Sequence, residues 1–446
     1  MSRISIPGFT HRHVRRLRLV SLRWQRRAVF VVGGAVIGAV AVLLAMAADW
    51  AGEVFRGVSD RTPLIVIGVT PLGFALSAYL TQRHFPSAGG SGIPQAIAAR
   101  QLHGRAARER LVSLNSAIGK SGLLLVGLLC GASIAREGPT VQVGASIMFA
   151  IGRLSPRRQP GLILAGASAG VAAAFNTPLA GIVFGIEEMS RSFEARTSGI
   201  FLGAVIAAGL TSITLQGDYT YFGATGAILG GSLQGWIAVP VLGVLGGLLG
   251  GGFSRVIVLF ATGLPGRFGA MVKRHPIWFA AVCGLVVALC GLASGGAAFG
   301  TGYAQARALV QGEGGVPDSY GVFKLLATVA SSVSGIPGGI FAPSLAVGAG
   351  LGANVATLLS GAPAQALIVL GMVAYFAGVV QAPITAFVIV AEMTNDHALV
   401  VPLMLASLIG FAVSRLICAE GIYHALAHNF VRAAAGQPEI GERAAR

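Results

Sequence analysis

A carboxylate, Glu137, stands where an ionisable side chain is expensive. No residue from Ser121 to Ala135, or from Gly138 to Gly152, is charged. At membrane depth such a group costs several kcal/mol on the lower scales, so it marks a working site. Gly138 and Pro139 follow it, which is how a helix begins: glycine frees the backbone and proline gives up an N–H that the first turn leaves unpaired anyway. Two further stretches have this character, Gly90-Ser91-Gly92-Ile93-Pro94 and Gly338-Gly339-Ile340-Phe341-Ala342-Pro343. A helix N-terminus carries free N–H groups and partial positive charge, and so favours an anion. Glu137 can occupy such a site itself, and the Ser91 hydroxyl can donate to an ion there. Gly90–Pro94 alone also suits a plain turn or cap. Three such starts, two of them at repeat-equivalent positions, outweigh that alternative. The chemistry indicated is hydrogen-bonded coordination of an anion together with proton exchange at a carboxylate.

Other chemistry has less support. No His partner lies near Ser91 in sequence, and Cys130, Cys283, Cys290 and Cys418 form no C-x-x-C pair; they are expected as buried, reduced filler residues. His424 and His428 would share a helix face, but no cysteine or acid accompanies them in a metal-binding spacing. No metal and no cofactor is expected, and a membrane-embedded enzyme using Ser91 or Glu137 is the disfavoured class.

The elements that must hold these residues are membrane helices. The chain is 54% hydrophobic and 11% charged over 446 residues, which excludes a soluble enzyme and a disordered chain. Apolar segments run at about 28–48, 64–80, 116–134, 141–151, 161–186, 199–215, 236–262, 277–298, 325–334, 345–359, 364–380, 384–391 and 399–416. Several fall short of the ~20 residues that cross a bilayer. Broken helices of this kind are tolerated only where they are buried in protein or line a cavity. Residues 1–27 hold eight arginines, and no acid precedes Asp49. By the positive-inside rule this is a cytoplasmic tail rather than a nucleic-acid-binding arm. The run 28–48 is too long for a signal-peptide core and is read as the first span. A single membrane domain is expected over 28–430, followed by a short polar tail at 431–446.

The chain repeats itself. Pro139-Thr140-Val141-Gln142-Val143-Gly144-Ala145 matches Pro343-Ser344-Leu345-Ala346-Val347-Gly348-Ala349, and the pairs 139/343, 120/324 (Lys/Lys) and 188/392 (Glu/Glu) are each 204 residues apart. Asn176-Thr177-Pro178-Leu179 resembles Gln381-Ala382-Pro383-Ile384, one residue out of step. Two halves, about 28–220 and 234–420, are expected. Short, Gly/Pro-broken segments at corresponding positions point to a transporter with its site between the repeats. Glu137 corresponds to Phe341, so the carboxylate is not repeated.

In these motifs the chain resembles the CLC chloride channels and chloride/proton exchangers. The family signatures G-S-G-I-P, G-[KR]-E-G-P and G-x-F-x-P stand as Gly90–Pro94, Ala135–Pro139 and Gly339–Pro343, with Ala135 replacing the usual glycine. Similarity runs in the family's order through Ala173–Gly181, Glu187-Glu188-Met189, Ala382–Thr385, Glu392-Met393-Thr394 and Gly421–Leu426. The resemblance implies an all-α polytopic membrane protein of two inverted halves, whose broken helices meet at the membrane midplane. It implies anion binding by Ser91, by the backbone amides of Ile340 and Phe341, and by the Tyr423 hydroxyl. It makes Glu137 the gate and outer proton site, and Glu188 the inner proton-transfer site. Neutral dipoles suit chloride, because they replace its water without trapping it.

A proton-coupled chloride antiporter is the expected function. A passive chloride channel of the same family is the alternative, and Glu188 favours exchange because the channels usually lack a carboxylate there. Ser91 favours chloride over the nitrate and fluoride branches. The expected partners are chloride, protons, the lipid bilayer and a second copy of the chain in a homodimer, with no nucleic acid. The expected location is a bacterial inner membrane with both termini cytoplasmic. Glu187, one residue from Glu188, should point elsewhere on a helix. Glu392 is expected to be structural as the repeat partner of Glu188, and Lys120 to be structural or a source of positive potential.

Overall fold

The structure is a computed structural model that describes residues 9–154, 158–190, 199–217, 220–230, 232–359, 361–434 and 436. The terminal stretches 1–8 and 437–446 lie outside the described residues, as do the side chains of 9–27, so most of the two expected tails does too. In chain order the helices are α1 (Phe9–Arg61), α2 (Val66–His84), α3 (Ile93–Gln101), α4 (Arg105–Leu111), α5 (Leu114–Leu129), α6 (Glu137–Ile151), α7 (Gln159–Phe175), α8 (Pro178–Phe184) and α9 (Gly199–Gln216). They continue as α10 (Leu233–Thr262), α11 (Gly266–Arg274), α12 (Pro276–Ala293), α13 (Tyr303–Gln311), α14 (Tyr320–Val333), α15 (Phe341–Leu358), α16 (Ala364–Val380), α17 (Pro383–Thr394), α18 (Val400–Ile417) and α19 (Ile422–Ala434). No β-strand occurs among the described residues; the only ladder-like pairings are two isolated bridges.

Among the described residues, eight helical stretches are long and apolar enough to cross a membrane. Their outward faces carry large apolar side chains, among them Leu43, Met46, Leu64, Leu72, Trp278 and Leu416, while Lys120, Glu137, Gln142 and Lys324 are fully buried. Apolar outside with polar inside is the arrangement a hydrocarbon solvent selects. The apolar run 161–186 is two helices. Asn176 turns left-handed at φ 57° and ends α7, and Pro178 opens α8. Gln381, at φ 58°, and Pro383 make the same break between α16 and α17. The short helices α4, α11 and α13 give no long apolar run, and the sequence reading passed over them.

The repeat is visible in the packing. α6 lies on α7 and α15 on α16; α7 lies on α9 and α16 on α18. The two lysines act alike. Lys120 Nζ donates to the carbonyls of Ala88 (2.5 Å), Gly89 (3.4 Å) and Gly90 (2.6 Å). Lys324 Nζ donates to those of Ala298 (3.1 Å), Phe299 (3.5 Å) and Gly300 (2.6 Å). An ammonium has three donors, and both lysines direct theirs at the loop before a broken helix. Lys120 is therefore structural, and no donor is left over for an anion.

The structure shifts one pairing of the repeat. Glu187 Oε1 and Oε2 accept from the N–H groups of Ile384 (3.1 Å) and Thr385 (2.6 Å), in the first turn of α17. Glu392 Oε1 and Oε2 accept from Leu179 (3.2 Å) and Ala180 (2.8 Å), in the first turn of α8. Each half thus supplies a carboxylate to the other half's helix N-terminus, where an acid is favoured by the free N–H groups and the dipole. The structural partner of Glu392 is Glu187, not Glu188 as the 204-residue spacing suggested. Pro178/Pro383 and Glu187/Glu392 share a spacing of 205. The first residues of α6 and α15 are 204 apart but those of α7 and α16, Gln159 and Ala364, are already 205 apart, so one extra residue ahead of α16 accounts for the changed register. Glu188 therefore has no counterpart, like Glu137. Glu187→Gln and Glu392→Gln should each lower stability by about 1 kcal/mol, the usual worth of a cap. Thermal unfolding in detergent measures this, and midpoints equal to wild type in both would remove the capping role.

Candidate ion site

Three loops are tied together by backbone bonds. The N–H of Gly90 donates to Ile336 O (3.2 Å) and that of Gly338 to Gly90 O (3.1 Å). Ala135 and Gly339 exchange both bonds, at 2.8 and 2.7 Å. Ala135 is not among the positive-φ residues, so this position does not require glycine. Two glycines are required here. Gly92 has φ 104° and caps α3. A Cβ on Gly138 would lie 2.5 Å from Ser91 Oγ and 2.8 Å from Ser91 O. The glycine therefore lets the start of α6 touch Ser91. Ser91 was expected near the N-cap of α3; Gly92 takes that place and no side chain caps the helix, which leaves the Ser91 hydroxyl uncommitted.

Glu137, Phe341, Tyr423 and Ser91, among the expected site residues, lie near one another. Glu137 is fully buried as the first residue of α6. The backbone N–H of Ala342, in the first turn of α15, lies near its carboxylate, as does its own N–H. The carboxylate thus sits between the N-termini of two broken helices, where an anion would bind. Ile340 caps α15 and Phe341 begins it. The Phe341 ring meets Tyr423 at 5.9 Å between centroids, stacks on Phe175 at 5.8 Å, and takes edge contacts from Phe376 (5.0 Å) and Phe184 (6.1 Å). Tyr423, in the first turn of α19, lies close to Ser91, Glu188 and Glu137. Ser91 Oγ, the Tyr423 hydroxyl and Glu137 Oε2 are buried without a partner at hydrogen-bonding geometry. Orphaned polar atoms are costly unless a ligand completes them, so these buried groups beside the Phe341 ring form the candidate ion site.

Arg136 is turned away from Glu137. Its guanidinium pairs with Asp49 at 2.6 Å and donates to Ala45 O at 2.8 Å, both on α1. The site is thus left to neutral donors. Glu188 lies apart, in the π-helical turn after α8, 4% exposed, with Oε1 3.1 Å from His424 Nδ1. Two cavities approach these groups. One of about 360 Å³ reaches Ser91 past Gly90, Pro94, Asn429 and Phe430. Another of about 320 Å³ reaches Glu187 and Glu188 past Gln381, Arg415 and Glu420.

Sequence reading missed three contributors. Tyr221 donates to Glu137 Oε1 at 3.4 Å from the segment that joins α9 to α10. That segment is folded back by Asp396, whose carboxylate accepts from Thr225 N, Thr225 Oγ1 and Gly226 N at 2.8 to 3.3 Å. The Ala342 amide is the second and the His424 imidazole the third. Gly217 and Gly223 signal a turn near Tyr221, but nothing in the sequence gives its target.

This is the architecture of a polytopic membrane protein, with a candidate ligand site at buried helix ends and cavities bordering Ser91 and Glu188. Residues 73–415 match the family model described as voltage gated chloride channel, and the chain belongs to that family. It is 32% identical over 436 residues to the H(+)/Cl(−) exchange transporter ClcA of Yersinia pseudotuberculosis, covering 89% of this chain and 87% of that one. It is 30% identical over 422 residues to the ClcA of Citrobacter koseri, covering 88% and 86%. Among solved structures, a slow cyanobacterial Cl−/H+ antiporter superposes with a TM-score of 0.73 at 24% identity, covering 92% of this chain and 99% of that one. A eukaryotic CLC transporter gives 0.75 at 19%, covering 92% and 74%. These two similarities establish the fold.

Ser91→Ala and Tyr423→Phe each remove one of the orphaned hydroxyls. Each should weaken halide binding by about 1 kcal/mol, roughly fivefold. Calorimetric affinities unchanged in both variants would exclude the two hydroxyls from the site.

Proposed function

We propose that the chain is a proton-coupled chloride antiporter. The observation that carries this reading is the Glu137 carboxylate held between two helix N-termini beside Ser91 and Tyr423, where a chloride would sit. Names of relatives with more than 85% mutual coverage support it. As a carboxylate Glu137 occupies the anion's place and closes the path. Protonated, it loses its attraction for the N–H groups and leaves the place to chloride. Ser91, Tyr423 and the amides of Ile340 and Phe341 then hold chloride through neutral dipoles, tightly enough to strip water and loosely enough to release it.

Exchange rather than passive flow needs a second titratable group, because Glu137 cannot reach across the membrane. Glu188 fills that role in this reading. It is buried, it borders a cavity other than the one reaching Ser91, and the capping duty near it belongs to Glu187. Ions and protons then share Glu137 and part on the way to Glu188. The same reading places one membrane domain over 28–430, with inverted halves about 28–220 and 234–420, and short tails at 1–27 and 431–446. It also takes a homodimer in a bacterial inner membrane with both termini cytoplasmic, and transport rather than enzymatic turnover as the activity.

Proton uptake driven by a chloride gradient in liposomes tests the reading. Chloride flux with no proton movement in the wild type would replace the antiporter by a channel. Glu137→Gln cannot titrate and should leave chloride flux uncoupled from protons; proton movement equal to wild type would remove it as the gate. Glu188→Gln should move chloride and no protons, while Glu187→Gln retains at least part of the coupling. Full coupling in Glu188→Gln would assign the inner proton path to another residue.

A further inference from the structure

We propose that Glu188 and His424 act as one proton-holding pair and that His424 sets the pH range over which protons reach the pathway. This rests on the antiporter reading. His424 Nδ1 and Glu188 Oε1 are 3.1 Å apart, and their side chains are 7% and 5% exposed. A buried carboxylate needs a partner, and the one this chain provides can itself titrate. A proton taken from water by Glu188 can pass along that hydrogen bond. The carboxyl O–H breaks, an N–H forms at Nδ1, and the pair becomes carboxylate and imidazolium, with no other atom changed and no further reactant required.

Among the described residues, several of the charged groups near this pair are engaged elsewhere. Glu187, the adjacent acid, is committed to Ile384 and Thr385. Arg100, on α3, reaches Ser190 at 3.5 Å. On α10, Arg255 donates to Ile417 O. On α16 the titratable group is Tyr375, fully buried. On α19 itself, His428 pairs with Glu420 at 3.4 Å, Arg432 lies two turns on, and Tyr423 precedes His424. Arg415 and Glu420 line the cavity that reaches Glu188. Tyr423 and His424 are consecutive, so one short helix carries a hydroxyl of the anion site and the partner of the inner carboxylate.

Imidazole changes charge between about pH 5 and 8, where an ordinary carboxyl stays ionised. His424→Asn keeps an amide donor near the Nδ1 position but cannot titrate. In liposomes with a chloride gradient, the ratio of protons to chloride moved by this variant should fall more steeply between pH 5 and pH 7.5 than that of the wild type. A wild-type profile in His424→Asn would overturn the proposal, since a fixed donor would then suffice. So would a ratio reduced equally at every pH, which marks a structural role. Should His424→Asn fail to fold, His424→Gln gives the same comparison; failure of both while Glu188→Gln folds would also overturn it. A wild type that moves no protons overturns the antiporter reading instead. A coupled wild type with an unaltered variant overturns the pair alone.

Discussion

Backbone groups that leave a helix inside hydrocarbon must find partners within the protein, and this constraint shapes the molecule. Three helices begin at depth, and their preceding loops would each leave N–H and carbonyl groups bare. The loops answer one another. Gly90 pairs with Ile336 and Gly338, and Ala135 with Gly339. Lys120 donates to three carbonyls of the first loop, those of Ala88, Gly89 and Gly90. At the starts of α6 and α15, the N–H groups of Glu137 and Ala342 meet the Glu137 carboxylate. The site is the residue of that accounting: unpaired donors are kept where an anion or a carboxylate can meet them.

Much of this was legible in the chain. Glu137 stood out because the apolar run around it made a charge conspicuous, and glycine and proline marked the start of α6 at the right residue. The three motifs meet as their shared chemistry suggested. The repeat spacing was legible too, but it misled at Glu392, because one extra residue in the second half, ahead of α16, shifts the register. The one-residue step at Asn176/Gln381 was its trace in the sequence.

Contacts across the chain were harder to read. Tyr221 reaches Glu137 because Asp396, far along the chain, folds the connecting segment inward. His424 reaches Glu188 only once α19 docks against α3. Both histidine and tyrosine are ordinary in their local sequence. Their importance comes from a neighbour more than eighty residues away, and no period or motif encodes such a pairing.

The exchanged caps of Glu187 and Glu392 also bear on synthesis. Ala180 N–H waits for a carboxylate 212 residues downstream. At about 5–20 residues per second, roughly 10–40 s pass on the ribosome between the two. Throughout that interval α8 has an unfinished end beside or within the bilayer, and Glu187 has no helix to cap. Ser133, which bonds Thr328 and Ser331, waits nearly as long. The nascent first half is therefore a species with its polar seams open. Water, lipid headgroups or the insertion machinery must occupy them until α14 and α17 arrive.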